Sequence, residues 1–290
     1  MPGIPPRASL LVDTPALAER LDDPRLRIVD IRGSIKPPSA PKPWYAPKRD
    51  AYLAAHIPGA VFVDWTEDIV EPTAPVHMTL AGPERWKALM ERLGIGDDCE
   101  VIVYDDSGGL APRFWWALNY YGHGQARLLD GGWNKWAAEG RPVTAAPPTP
   151  RHAVFTPRVQ PGWRAGTAQV KAAMTAAGVA LVDCRSPEEW RGEIGRGEKA
   201  KGRIPRSVNV PSVKALEGEH RTWKSPEEIR DLYAKAGVTP DSEVITYCNA
   251  GVSAAVGLFA LKLAGFPSVA NYAGSWYEWE ADSANPIEIG

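Results

Sequence analysis

"VITYCNAGVSA", residues 244–254, changes character at its fifth residue. Val244 to Tyr247 read as a buried strand. The stretch "AAVGLFALKLAG" (254–265) reads as an apolar helix that ends at a glycine able to cap it. Between strand and helix lies Cys248, and after it come the mostly small residues Asn249, Ala250, Gly251, Val252, Ser253 and Ala254. A loop of this kind can curl so that successive backbone N–H groups converge on one point. The start of the helix adds unpaired N–H groups and the positive end of its dipole. Sulfur held there is favoured as the anion, the nucleophilic form of cysteine. The competing reading is a small buried cysteine at a strand end, a common thing in folded proteins.

The same pattern occurs earlier. "VIVYDDSGGLA" (101–111) runs parallel to "VITYCNAGVSA", and "GGWNKW" (131–136) to "GSWYEW" (274–279). Upstream, Asp30-Ile31-Arg32 returns as Asp183-Cys184-Arg185, and "HIPGAVFV" (56–63) as "RIPRSVNV" (203–210). Four matches in one order identify a duplicated domain. In each half, Val- and Ile-rich runs alternate with helical stretches. The strand-like runs are "RIVDIR" (27–32), "VIVYDD" (101–106), "LVDCR" (181–185) and "VITYC" (244–248). The helices are "PERWKALMERLG" (83–94), "PRFWWALNYYG" (112–122), "SPEEIRDLYAKAG" (225–237) and 254–265, each closing on glycine. The alternation predicts an α/β fold of two tandem domains, each a mostly parallel sheet flanked by helices. The expected boundaries are residues 1–145 for the first domain, 146–162 for a proline-rich linker and 163–290 for the second. The tryptophans 115, 116, 133, 136, 276 and 279 are expected in the packing of the domains.

The repeat is also an internal control. Asp105 stands where the second half has Cys248, so the loop serves the fold in both halves and only the second carries a nucleophile. The first domain is therefore expected to be catalytically inactive. Cys99 and Cys184 lie in surroundings that suggest no thiolate and are read as structural.

Composition bounds the rest. At 290 residues the chain is long enough for two domains, and 33 basic against 35 acidic residues give a net charge of −2. That balance offers no field for nucleic acid or an anionic membrane. No apolar run is long enough to span a bilayer, and the start, Met1 to Arg7, lacks the apolar core of a signal peptide. A cytoplasmic location is the expectation. Three widely spaced cysteines make no disulfide framework and no Cys-x-x-Cys. No zinc site, phosphate loop or dinucleotide fingerprint is visible, so neither metal nor organic cofactor is expected.

Taken together, "HIPGA" (56–60), "VIVYD" (101–105), "APRFWWAL" (111–118), "LLDGGWNKW" (128–136), "VDCRSPEEW" (182–190), "YCNAGVSA" (247–254) and "GSWYEW" (274–279) resemble the rhodanese family of sulfurtransferases in its two-domain form. The resemblance implies an inactive first and an active second rhodanese domain. It implies that Cys248 takes sulfane sulfur from a small anionic donor, thiosulfate or 3-mercaptopyruvate, as a persulfide. The sulfur then passes to a thiophilic acceptor such as cyanide or a thiol, a protein thiol included. Residues 249–254 correspond to the family's active-site loop.

The sequence departs from both familiar donor patterns. Thiosulfate enzymes place Arg and Lys directly after the cysteine, where this chain has Asn249 and Ala250. Mercaptopyruvate enzymes read Cys-Gly-Ser-Gly-Val-Thr, and their serine has been proposed to work with a histidine and an aspartate of the first domain. Here those positions hold Ala250, His77 and Thr66. Glu189 occupies the place of one substrate arginine, and Arg196 corresponds to a second, inside the glycine-rich stretch 191–203. Arg185, Arg191, Arg196 and His77 are the candidates for substrate binding. Arg185 has an equal reading as a structural ion pair, since Arg32 is its counterpart, and Arg113 is expected at the inter-domain face. Ser253 is placed to donate to the sulfur or to cap the helix. Two other functions compete. A cysteine phosphatase or arsenate reductase would need an arginine where Ala254 stands, and a non-enzymatic binding module would never load Cys248 with sulfur.

Overall fold

The computed structural model describes residues 4–37, 39–196 and 199–290. Residues 1–3 of the N-terminal stretch, and Gly197 and Glu198 within the glycine-rich stretch, lie outside the described residues. Each half builds a five-stranded sheet whose neighbouring strands all run parallel. In the first the order is Leu11–Val12, Ala126–Leu129, Glu100–Tyr104, Leu26–Asp30, Ala60–Phe62. In the second it is Arg164–Ala165, Val269–Tyr272, Glu243–Tyr247, Val179–Asp183, Val208–Asn209, the same topology strand for strand. The register is shared as well: Asp30 pairs with Tyr104, and Asp183 with Tyr247.

The helices begin and end where the sequence places them, within a residue or three: Pro83–Arg92, Ala111–Tyr120, Pro226–Ala234 and Val252–Leu263. Gly94, Gly122, Gly237 and Gly265 come after them with φ of 70°, 86°, 77° and 80°, the left-handed conformation that terminates a helix without a Cβ penalty. Between residues 145 and 160 there is neither helix nor strand. This stretch lies along the first half, where Val154 O accepts from Asp97 N, Arg158 N donates to Tyr121 O, and the Phe155 ring is buried.

Two features are absent from the sequence reading. A hairpin of Gly33–Ile35 and Tyr45–Pro47 projects from the first half towards the second. A second hairpin, Leu216–Glu217 with Thr222–Trp223, projects the other way, where Trp223 N donates to Asp130 Oδ1 and Arg7 bonds the carbonyls of Trp223 and Lys224. Both are too short and irregular to carry a period.

One hydrophobic cluster runs through both halves without interruption. At its centre the helices Ala111–Tyr120 and Val252–Leu263 face each other. Nearly every residue of the second is buried, as expected of a helix that is apolar all round. Trp115 and Phe259 meet edge to face with centroids 4.8 Å apart, and Trp223 lies 4.5 Å from Phe259. Of the six tryptophans expected in the packing, five are buried. Trp133 is half-buried, covered by the Arg32 guanidinium at 4.1 Å. Phe259→Ala would leave a cavity where the two halves join and should cost about 3–5 kcal/mol. Chemical denaturation checks this: the midpoint should fall for both sheets together, and a loss confined to one half would show that the halves are not coupled through this contact.

Candidate active site

Cys248 is the first residue beyond the carboxyl end of the central strand Glu243–Tyr247, the edge at which open parallel sheets bind their ligands. The chain then turns through Asn249, Ala250 and Gly251 into the helix that starts at Val252. Gly251 has φ +73°, and a Cβ there would sit 2.6 Å from the carbonyl oxygen of Ala273, so the tight return against that strand end requires glycine.

Every carbonyl of this turn is drawn outward. Cys248 O accepts from Trp276 N at 3.0 Å and Asn249 O from Tyr277 N at 3.1 Å. Ala250 O accepts from Arg113 Nη1 at 2.8 Å and Gly251 O from Asn271 Nδ2 at 3.0 Å. The N–H groups of Asn249, Ala250, Gly251, Val252 and Ser253 donate to no acceptor among the described residues. A run of orphan donors at a helix start is an anion-binding arrangement. Only the N–H of Cys248 itself is taken, by Ser275 Oγ at 3.1 Å.

The first half displays the same cradle filled. Asp105 Oδ1 accepts from Ser107 N and Gly108 N, and Oδ2 from Leu110 N and Ala111 N, at 2.5–2.7 Å. These four donors correspond in the repeat to Ala250, Gly251, Ser253 and Ala254. Burial pushes the Asp105 carboxyl upward and the four N–H groups oppose it. The loop binds a carboxyl group in one half and carries Cys248 at that position in the other, where Ser275 Oγ lies 4.0 Å from the sulfur.

Cys248 is itself 3% exposed and opens on a cleft of about 350 Å³ between the halves. Ile35, Tyr45 and Met78 of the first half form one wall. The other is built by the second half: Asn249, Ala250, Val252 and Ser253 of the loop, together with Cys184, Arg185, Glu189, Arg196 and Lys214. Gly251 and Ala254 support the loop from behind. Ala254 is fully buried, and its carbonyl accepts from Thr246 Oγ1. Ser253 is the second residue of the helix and faces the cleft. It does not cap the helix, whose N-cap is Gly251.

The candidate cations divide. Arg185 reaches the cleft, but its guanidinium is engaged by Asp183 Oδ2 at 2.7 Å and by Gly202 O at 2.7 Å, and it lies over the Trp276 ring. Burial works against its charge, yet Asp183 holds its pKa above the ordinary value. Arg32 repeats the arrangement with Asp30 and Trp133, so this pair belongs to the fold. Arg196 lies in the cleft beside Glu189, 3.5 Å from its Oε1, and donates to Lys36 O. Glu189 in turn accepts from Asn249 Nδ2 at 2.7 Å. Arg191 is not brought to the cleft: it points along the surface and pairs with Glu193, two residues on. His77 lines an adjoining cleft of about 330 Å³ that includes Thr66, Trp44 and Tyr277 and shares Tyr45 and Met78 with the first. Burial, and then the charge of Arg113, push the His77 imidazole below its usual value, favouring the neutral ring.

Cys184 sits in the same cleft, pressed against Gly257, where a Cβ would lie 2.5 Å from its sulfur. Burial drives its thiol well above the ordinary range, with the Cys248 charge adding to the effect. Cys99 is buried, with its thiol likewise raised by burial.

Several residues at the site escape a reading of the sequence. Lys214 stands exposed on the rim and forms no ion pair among the described residues. Tyr45 arrives on the first hairpin, its hydroxyl 3.3 Å from that of Tyr277. Ser275 supports the cysteine from behind with φ +53°, where the first half has Gly132. The repeat alignment of "GGWNKW" with "GSWYEW" is the signal available for that one. No three His, Cys, Asp or Glu side chains converge to hold a metal among the described residues. None of their helices is long and apolar enough to cross a membrane.

Comparison with known proteins agrees with this geometry. The Rhodanese-like domain model matches residues 13–139 and 167–282. The sulfur carrier protein TtuD of Thermus thermophilus is 34% identical over 294 aligned residues, covering 97% of each chain. A probable 3-mercaptopyruvate sulfurtransferase of Pseudomonas aeruginosa is 32% identical, covering 97% of this chain and 98% of its own. Rat thiosulfate sulfurtransferase is 34% identical, covering 93% and 91%. Among solved structures, the 3-mercaptopyruvate sulfurtransferase SseA of Escherichia coli superposes with a TM-score of 0.81 at 30% identity, covering 92% of this chain and 98% of its own. With both halves matched by the same domain model, the chain belongs to the rhodanese family.

Proposed function

We propose that this sulfurtransferase carries sulfur on Cys248 and that its cleft favours a singly charged donor, 3-mercaptopyruvate, over thiosulfate. The observation that carries the first part is the run of N–H groups without acceptors, Asn249 to Ser253, that directly follows Cys248 at the start of the helix. Its counterpart in the first half already holds an acidic group, the Asp105 carboxyl, each of whose oxygens accepts two of the N–H groups. A persulfide is an anion at the matching position.

The chemistry balances without a cofactor. The Cys248 thiolate attacks the donor sulfur and forms an S–S bond as the donor's bond to that sulfur breaks. From mercaptopyruvate the C–S electron pair leaves with the carbon as the enolate of pyruvate, which takes up the thiol proton. From thiosulfate the S–S pair leaves as sulfite. Cyanide or a thiolate then attacks the outer sulfur, and the electrons of the S–S bond return to Cys248. The cleft of about 350 Å³ has room for a small thiol acceptor. The first domain, with Asp105 in the cradle, has no nucleophile to load.

The charges of the cleft support the choice of donor. Arg185 is neutralised by Asp183 and Arg196 by Glu189, which leaves Lys214 as the cleft-lining cation without an ion-pair partner among the described residues. Much of the remaining wall is apolar: Ile35, Met78, Ala250, Val252, Val213 and Pro211. A single unpaired lining cation, Lys214, beside apolar surface matches a monoanionic 2-oxo acid better than a small dianion. The Cys248 loop adds no side-chain charge, since Asn249 and Ala250 are neutral.

Thiocyanate formation tests both parts. The native enzyme should show the higher kcat/KM with mercaptopyruvate, and Cys248→Ser should form none with either donor. Glu189→Gln keeps the bond from Asn249 and frees the Arg196 charge. Because attraction scales with the donor's charge, kcat/KM should rise about ten-fold for thiosulfate and about three-fold for mercaptopyruvate. Thiocyanate from Cys248→Ser would refute the nucleophile. A native preference for thiosulfate, or equal gains in Glu189→Gln, would refute the reading of the cleft.

A further inference from the structure

We infer that Arg113, carried by the first domain, is a positioning residue of sulfur transfer: its guanidinium holds the Cys248 loop in the anion-binding conformation from across the domain boundary. The inference rests on Cys248 as the residue that carries sulfur.

Arg113 lies near the start of the helix Ala111–Tyr120 and is 1% exposed. Its Nη1 donates to Ala250 O at 2.8 Å and its Nη2 to Met78 O, while Nε has no partner among the described residues. No carboxylate pairs with it there. The other buried arginines all have one: Arg32 has Asp30, Arg185 has Asp183 and Arg203 has Glu288. A buried charge without a counterion is costly, and a fold that needed only volume would hold an apolar residue. The repeat supplies that case, because the position matching Arg113 in the second half is Val256, itself buried. The helix and its packing therefore do not require the arginine. Burial pushes its pKa down to about 10, and Cys248 is the anion that opposes this shift.

The peptide bond gives the contact its consequence. In a trans peptide the C=O of one residue and the N–H of the next point in opposite directions. Fixing Ala250 O on Arg113 therefore turns the Gly251 N–H to the opposite side, towards the centre of the loop. The matching donor in the first half, Gly108 N, bonds the Asp105 carboxylate. Met78, the other anchor, holds φ +63°, a strained conformation for a side-chain-bearing residue, and its carbonyl meets the guanidinium. The first domain, with no nucleophile of its own, thus completes the loop of the second.

The test is the single-turnover rate of Cys248 loading by mercaptopyruvate in the full chain, with the donor concentration for half-maximal rate measured alongside. Arg113→Met should lower the saturating rate about 100-fold, the scale of one preorganised donor. The half-saturation concentration should stay within about three-fold, because Arg113 does not line the cleft. Arg113→Lys keeps the charge and should recover about ten-fold over Met, a rescue that packing alone would not give. Should Arg113→Met fail to fold, Arg113→Gln takes its place with the same expected loss. A native loading rate in either neutral variant would overturn the inference, as would Lys doing no better than the neutral variant. A native enzyme that loads no sulfur on Cys248 would instead refute the nucleophile, and the two failures are told apart on the unsubstituted protein.

Discussion

The carbonyls of residues 248–251 all point away from the sulfur, and the site depends on that one constraint. Four partners from three directions hold them: the start of the helix Ser275–Ala281, Asn271 on the neighbouring strand, and Arg113 from the other domain. With the carbonyls engaged, the N–H groups of Asn249 to Ser253 are left without acceptors among the described residues. Buried polar groups are rarely left without partners, so a run of such donors marks a place for an anion. The sequence permits the turn because Gly251 adopts a positive φ against Ala273 and because the residues around it are small.

Duplication separates what the fold needs from what the proposed chemistry needs. Asp30–Arg32 and Asp183–Arg185 occur in both halves, beneath Trp133 and Trp276, and tie the strand ends to the adjoining chain. The N–H cradle also occurs twice. Cys248 and Arg113 do not: their counterparts are Asp105 and Val256. One of the two lies in each half, and they meet at the boundary. The apolar helices that surround them, Ala111–Tyr120 and Val252–Leu263, fix the distance between them.

The architecture is legible in the sequence because it rests on local signals. Strand and helix periods, glycines at helix ends and the doubled motifs all lie within short windows. The cysteine is legible for the same reason, through its contrast with Asp105. The hidden features depend on pairs far apart in the chain. Arg113 is expected at the domain face, but nothing in the sequence connects it to Ala250. Arg196 is a substrate candidate, yet its charge is matched by Glu189, a residue that reads only as a departure from the family pattern. Arg191 has the right charge in the right stretch and turns outward to Glu193. Lys214 and Tyr45 reach the cleft on a short turn and a short hairpin, elements with no period to detect. His77 lies in the adjoining cleft, behind the wall that Tyr45 and Met78 form.

The most direct measurement is the intact mass of the protein after brief exposure to mercaptopyruvate without an acceptor, combined with peptide mapping under non-reducing conditions. One added sulfur, about 32 Da, should appear and map to the peptide that holds Cys248, and cyanide should remove it. Added sulfur on Cys184 or Cys99 instead, or none at all on a folded and donor-treated chain, would contradict the account.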